Sequence, residues 1–203
     1  EYVTAGAWDD TVYFFGKDNS TPLWSYATGG NVVSVAISAD GEYIVASSSD
    51  KFYVFDKDSS TPRCSRSESN VYVTISAHGE YIAIAYSSES YGSGLSLSGT
   101  DCGDIWADSF SGSPTSVAIS DDGEYIAAAG NTLYLYDICC TYEGLWTSSG
   151  GSNSLDFSSN GEYLVVASGD SVRLFATDNG TSLWTYNTGD SVNSVSISAD
   201  GEY

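Results

Sequence analysis

Apolar residues along the chain gather in short runs that are continuous rather than alternating. YIVAS at 43–47, FYVF at 52–55, YIAIAY at 81–86 and YLVVAS at 163–168 are examples, each followed by Ser, Asp or Gly. Runs of this length between turn residues predict strands. A strand apolar on both faces must be covered on both faces.

The runs recur with a phrase. It reads SVAISADGEYIVAS at 34–47, TISAHGEYIAIAY at 74–86, SVAISDDGEYIAAAG at 116–130, SLDFSSNGEYLVVAS at 154–168 and SVSISADGEY at 194–203. The glutamate of this phrase stands at Glu1, Glu42, Glu80, Glu124, Glu162 and Glu202, so five periods of about forty residues fit. A second phrase follows at a fixed offset: TVYFFGKDNSTPLWSYATG at 11–29, KFYVFDKDSSTPRCS at 51–65, TLYLYDICCTYEGLW at 132–146 and SVRLFATDNGTSLWTYNTG at 171–189. Each period holds four strand-like runs, here A to D, near 32–38, 42–48, 51–56 and 62–67 in the second period. The A–B link contains Asp40-Gly41, Asp122-Gly123 or Asn160-Gly161, a strong hairpin signal.

Blades stacked around an axis cover both faces of every sheet, whereas a sandwich leaves one face of each in water. The pattern therefore predicts an all-β, five-bladed β-propeller with four antiparallel strands per blade. The expected blades are 1–30 plus 191–203, 31–69, 70–112, 113–151 and 152–190, in a single domain. The first period opens at strand B and the last supplies a surplus strand A. Closure by 192–198 joining the N-terminal strands B–D is expected; a head-to-tail fibre by strand exchange, or a cut from a longer array, are the alternatives.

Charge narrows the function. Six Lys and Arg stand against 27 Asp and Glu, a net charge of -21. Phosphate backbones and anionic membranes need basic surfaces, so neither nucleic acid nor direct membrane insertion is expected. No apolar run approaches the roughly 20 residues of a membrane span. The surface is rich in Ser, Thr, Gly and Asn, as on extracellular and cell-surface proteins. The absence of Met at position 1 reads as processing or truncation, with no signal peptide remaining.

The ISADGEYIVAS phrase resembles the SPDGxY hairpin of YVTN-type and WD-repeat-like propellers of archaeal and bacterial surface proteins. VYFFGKDNSTPLWSYATGG resembles the pyrroloquinoline-quinone-type repeat. The resemblance spans the chain and implies a propeller. The Gly-His and Trp-Asp dipeptides of WD repeats are absent, and so is the cationic and metal-binding constellation of the quinone enzymes, so no quinone is expected.

In such blades the A–B and C–D turns share one end. The A–B turns carry Asp40, His78, Asp122, Asn160 and Asp200. Asp40, Asp122 and Asp200 are candidate ligands of Ca²⁺ or another hard cation, against the reading that they only form turns. The C–D turns hold the sequons at Asn19 and Asn179, candidate glycosylation sites or plain turn formers. Cys64 stands in the slot that other blades fill with Trp24, Trp106, Trp146 and Trp184. Disulfides are expected from an even cysteine count. Cys64–Cys102 is the favoured pair, leaving Cys139 and Cys140 as a vicinal pair or an intermolecular link. On the other end, SSESYGSG at 87–94 is an insertion, and Tyr86, Glu89 and Tyr91 are candidate contacts for a sugar or a partner. Asp156 replaces a small residue on an inner strand, either as a site residue or as a cap for a backbone amide.

A glycosidase needs two blade-specific central carboxylates. Only Asp156 is unique and inner, so the chain is read as non-catalytic. The expected function is a structural or adhesive cell-surface module, self-assembling through terminal strands or cysteines, with other surface proteins or glycans as partners. A monomeric lectin-like or protein-binding propeller is the alternative, and a glycosidase the remoter one.

Overall fold

The computed structural model describes residues 1–68, 71–88, 92–138 and 144–202. Among them every regular element is a strand, and no helix is long and apolar enough to cross a membrane. The first sheet comprises β1 (Tyr2–Gly6), β2 (Thr11–Gly16) and β3 (Trp24–Ala27). The second comprises β4 (Val32–Ile37), β5 (Tyr43–Ser48), β6 (Lys51–Asp56) and β7 (Cys64–Ser67). The third comprises β8 (Tyr72–Ile75), β9 (Ile82–Ser88), β10 (Gly92–Ser98) and β11 (Asp104–Phe110). The fourth comprises β12 (Ser116–Ile119), β13 (Tyr125–Ala129), β14 (Thr132–Asp137) and β15 (Gly144–Ser149), and the fifth β16 (Ser154–Phe157), β17 (Tyr163–Ser168), β18 (Ser171–Ala176) and β19 (Ser182–Asn187). Each is an antiparallel meander in chain order. This is the all-β set of five sheets expected of a five-bladed β-propeller.

The chain forms two compact units, Glu1–Asp108 and Ser109–Tyr203. In the first unit, Val12 and Phe14 of β2 pack with Trp24 and Tyr26 of β3 on Val32, Ile44, Ala46, Tyr53 and Phe55 of the second blade. Within the first blade Tyr2–Phe14 and Phe14–Trp24 stack at 5.0 Å, and Trp24 meets Phe55 of the second blade in a tilted pair at 5.1 Å. The opposite face of the second blade gives Val45, Phe52 and Val54 to Val71, Val73, Ile75, Ile82 and Ile84 of the third. In the second unit the same arrangement joins Ala127, Leu133 and Leu135 to Leu155, Phe157, Leu164 and Val166. The continuous apolar runs thus have a physical cause: the middle strands of the second blade are covered by a neighbouring blade on either side.

Among the described residues the first sheet has the three strands β1–β3, and no ladder is assigned to 191–198. Residues 192–199 lie against β16, as β8 lies against β4. Val195 N–H donates to Ser154 Oγ at 3.3 Å where Val73 N–H donates to Ser34 Oγ at 3.5 Å. Ser159 N–H donates to the Ala199 carbonyl at 2.9 Å where Ala39 N–H donates to Ala77 at 2.9 Å. The segment occupies the place of a following blade's inner strand.

Candidate functional site

The A–B turns of the second, fourth and fifth blades, and the turn at 198–202, are built by one repeated network. Ser38 Oγ donates to Asp40 Oδ1 at 2.5 Å and accepts from Tyr43 N–H at 3.1 Å; Asp40 Oδ1 also accepts from Glu42 N–H at 3.0 Å. Ser120 with Asp122, Ser158 with Asn160 and Ser198 with Asp200 repeat the Ser-to-Asx bond at 2.5, 2.7 and 2.6 Å. Two donors on one carboxylate oxygen favour its charged form. Asp40 and Asp200 are accordingly held below the usual aspartate range, first by the serine hydroxyl and then by the glutamate amide. The turn glycines are left-handed, at φ of 73° in Gly41 and 72° in Gly79, and Gly41, Gly79, Gly161 and Gly201 seat the rings of Tyr2, Tyr43, Tyr125 and Tyr163. A Cβ on Gly79 would stand 2.4 Å from the Tyr43 ring. This explains the GEY phrase: glycine makes the turn, and tyrosine packs under the next one. The buried serine two residues before the Asx was not singled out from sequence, although its fixed place before each turn was visible.

The candidate cation ligands therefore use Oδ1 within their own turns. Among the described residues no three His, Cys, Asp or Glu side chains converge as a metal site. Asn19 and Asn179 are exposed, and each Oδ1 accepts the N–H two residues on, from Thr21 at 2.9 Å and Thr181 at 2.8 Å. Asp156 acts on backbone: its Oδ2 accepts Ser196 Oγ–H at 2.8 Å and Ile197 N–H at 3.0 Å, pinning 196–197 to the fifth blade. Tyr86 packs half-buried against the core between the second and third blades, and burial raises its phenol pKa. The expected insertion at 87–94 in part lengthens a hairpin, since Ser87 pairs with Ser93 and Ser88 with Gly92. Glu89 and Tyr91, with Cys139 and Cys140, lie outside the described residues.

The structure joins Cys64 to Cys102, with Cα atoms 6.1 Å apart. Its place is informative. Trp24 Nε1–H donates across to the Lys57 carbonyl at 2.8 Å, and Trp146 Nε1–H to the equivalent Thr177 carbonyl at 3.0 Å. Each indole stitches strand D of one blade to the C–D corner of the next. In the Cys64 slot the sulfur lies 3.5 Å from the Thr100 carbonyl, the same corner in the third blade. The disulfide replaces the indole stitch.

A hollow at this end lies between the turns of the fourth and fifth blades. It has a volume of about 410 Å³ and is lined by Glu124, Tyr125, Glu162, Tyr163 and Asp178 over a floor of Gly161 and Thr177. A counterpart between the first two blades is lined by Glu1, Tyr2 and 37–41. Lys17 and Lys57 each donate a backbone N–H to the glutamate of their own blade, Lys17 to the Glu1 carbonyl and Lys57 to the Glu42 carbonyl. Ile138 N–H to Glu124 and Thr177 N–H to Glu162 repeat it. The four positions are thus equivalent. In the first two blades the side chains pair as well, Lys17 with Glu1 and Lys57 with Glu42. These pairings were not read from sequence, though GKD at 16–18 and DKD at 56–58 show the lysine plainly.

A family model for the WD domain, G-beta repeat, matches residues 20–56 and 140–175. Both matches begin at a C–D turn and end on strand C of the following blade, the first covering β3–β6 and the second reaching through β18. No curated protein matches the chain. In its repeat and in its five antiparallel sheets the chain is similar to WD-type β-propellers.

Proposed function

We propose that the chain is a non-catalytic protein-interaction module of the extracellular or cell-surface space. The observation that carries this reading is the use made of its acids. Asp40, Asp122, Asp200 and Asp156, the carboxylates placed as candidates for chemistry, each accept hydrogen bonds that build the fold. Repeated WD-type blades, which elsewhere serve as interaction scaffolds, support the same reading, and the Cys64–Cys102 bridge fits an oxidising compartment. The test has two arms. Glycan arrays and a panel of aryl glycosides are expected to be silent, and hydrolysis of any of them overturns the non-catalytic reading. Affinity capture from the secreted and cell-surface fraction is expected to return discrete partners that a reduced and alkylated sample does not bind.

Self-association is a second reading, and one surface favours it. Val172, Leu174, Trp184 and Tyr186 of the fifth blade are equivalent to Val12, Phe14, Trp24 and Tyr26, the face with which the first blade packs on the second. Trp184 is 48% exposed and Tyr186 66%. A second copy of the chain presenting a blade edge would complete the interface already used inside each unit. Size-exclusion chromatography and negative-stain imaging read it directly.

A further inference from the structure

We propose that the hollow between the turns of the fourth and fifth blades is a receptor for a lysine side chain of a partner protein. The proposal rests on the interaction-module reading and gives the partner a chemistry. Its ground is a comparison of the chain with itself. In the first two blades the repeated glutamate holds an ammonium from the C–D turn of its own blade, Glu1 with Lys17 and Glu42 with Lys57. The Tyr43 ring of the second blade also carries a cation, with the Arg63 guanidinium carbon 5.9 Å from its centroid. In the fourth and fifth blades the glutamates and tyrosines remain as Glu124, Tyr125, Glu162 and Tyr163, while the lysine positions hold Ile138 and Thr177. The anionic half of the pair is retained and the cationic half is gone.

The same place is where a hollow of about 410 Å³ opens. Asp178 adds a third carboxylate at its rim. The second unit has one basic residue to offer it, Arg173, and this donates to the Ser149 carbonyl at 3.2 Å. Burial and then the charges of Glu124, Asp137, Asp122 and Asp178 raise the Tyr125 phenol pKa, so the wall of the hollow sits in a negative field. An ammonium suits such a field better than a divalent cation. Ca²⁺ requires six to eight converging oxygens, and among the described residues no three ligands converge. An ammonium needs one or two carboxylates for its three donors, with tyrosine faces along its methylene stem.

The test uses the whole chain and a capped tetralysine peptide, followed by calorimetry and by fluorescence of Trp146. That indole donates to the floor residue Thr177 and packs on Gly180. Saturable binding is expected, and the fully Nε-acetylated peptide is expected not to bind. Glu124→Gln/Glu162→Gln is expected to weaken tetralysine about tenfold, the effect of removing two exposed ion pairs. Both residues are exposed, so the variant keeps its fold. Asp18→Asn/Asp58→Asn makes the same charge change in the C–D turns of the first unit, beside Lys17 and Lys57, and is expected to leave binding within about twofold. Equal weakening by both pairs would mean that only net charge is felt and overturns the receptor. Tetralysine binding undiminished by Glu124→Gln/Glu162→Gln overturns it too. Neither result touches the interaction-module reading, which stands or falls on whether discrete partners are captured.

Discussion

At the scale of residues, the five-residue turn from serine to glutamate is the unit that repeats, and its acid behaviour follows from its bonds. A carboxylate whose folded pKa is depressed stabilises the fold above its unfolded pKa, and that contribution is lost as pH falls through the folded value. Asp40 and Asp200 are both depressed, first by the serine hydroxyl. Their contribution is therefore expected to be full at neutral pH and to disappear below about pH 4. Asn160 already performs the same turn without a titrating group, with Oδ1 accepting from Ser158 and Glu162. Asp40→Asn/Asp200→Asn is accordingly expected to flatten the acid limb of melting temperature against pH while leaving the neutral value nearly unchanged. A steep limb that survives the double substitution would place the acid sensitivity elsewhere. The turn glycine is the less forgiving position. Gly79→Ala combines a φ of 72° with a Cβ 2.4 Å from the Tyr43 ring, and about 1–3 kcal/mol of destabilisation is expected in chemical denaturation. The turn itself was legible because Asp-Gly and Asn-Gly between apolar runs have a local cause. What the glycine carries was not, because the ring it seats belongs to another blade.

At the scale of elements, strand D shows how one position can be satisfied by two chemistries. Trp24 and Trp146 reach the next blade with an indole N–H, whereas Cys64 reaches it with a covalent bond. The exchange was readable as a missing aromatic, and adjacency of the blades pointed to Cys102. The shared carbonyl that makes the two stitches equivalent needed coordinates. Cys102 sits at φ 61°, which glycine adopts freely and other residues rarely do. Removing the bridge in Cys64→Ala/Cys102→Ala is expected to lower stability by about 2–4 kcal/mol. Cys64→Trp/Cys102→Gly restores the indole and relaxes the backbone, and is expected to recover about 1 kcal/mol of that loss. Thermal melts of the three proteins, with and without reductant, separate the contributions. A tryptophan variant no more stable than the alanine variant would mean that the slot does not accept the stitch of its sister blades. The strand-like SVSIS at 194–198 was legible in the sequence, but its hold on the fifth blade through Ser154 and Asp156 was not, because no local rule assigns a side chain forty residues away to a backbone amide.

At the scale of the whole molecule, a net charge of -21 opposes any approach of one copy to another. The apolar face of the fifth blade favours such an approach: Trp184 and Tyr186 are exposed beside a hollow lined by Val172, Leu174, Val195 and Ile197. Which effect wins is set by salt. Repulsion between exposed carboxylates is screened over about 10 Å at 0.1 M ionic strength and over about 3 Å at 1 M. The burial of aromatic surface is not screened at all, and excluded salts such as sulfate strengthen it. Self-association is therefore expected to grow with ionic strength, the reverse of an assembly held by ion pairs. Light scattering on size-exclusion fractions, run from about 20 mM to about 500 mM salt, should show mass rising across that range. Trp184→Ala removes the largest exposed ring of the face and is expected to hold the protein monomeric at every salt concentration. Reductant separates this route from one through Cys139 and Cys140, because apolar contact is indifferent to thiols. A mass that stays at 21.4 kDa throughout, in the unmodified chain as in the variant, removes self-association and leaves the blades as surfaces for other proteins.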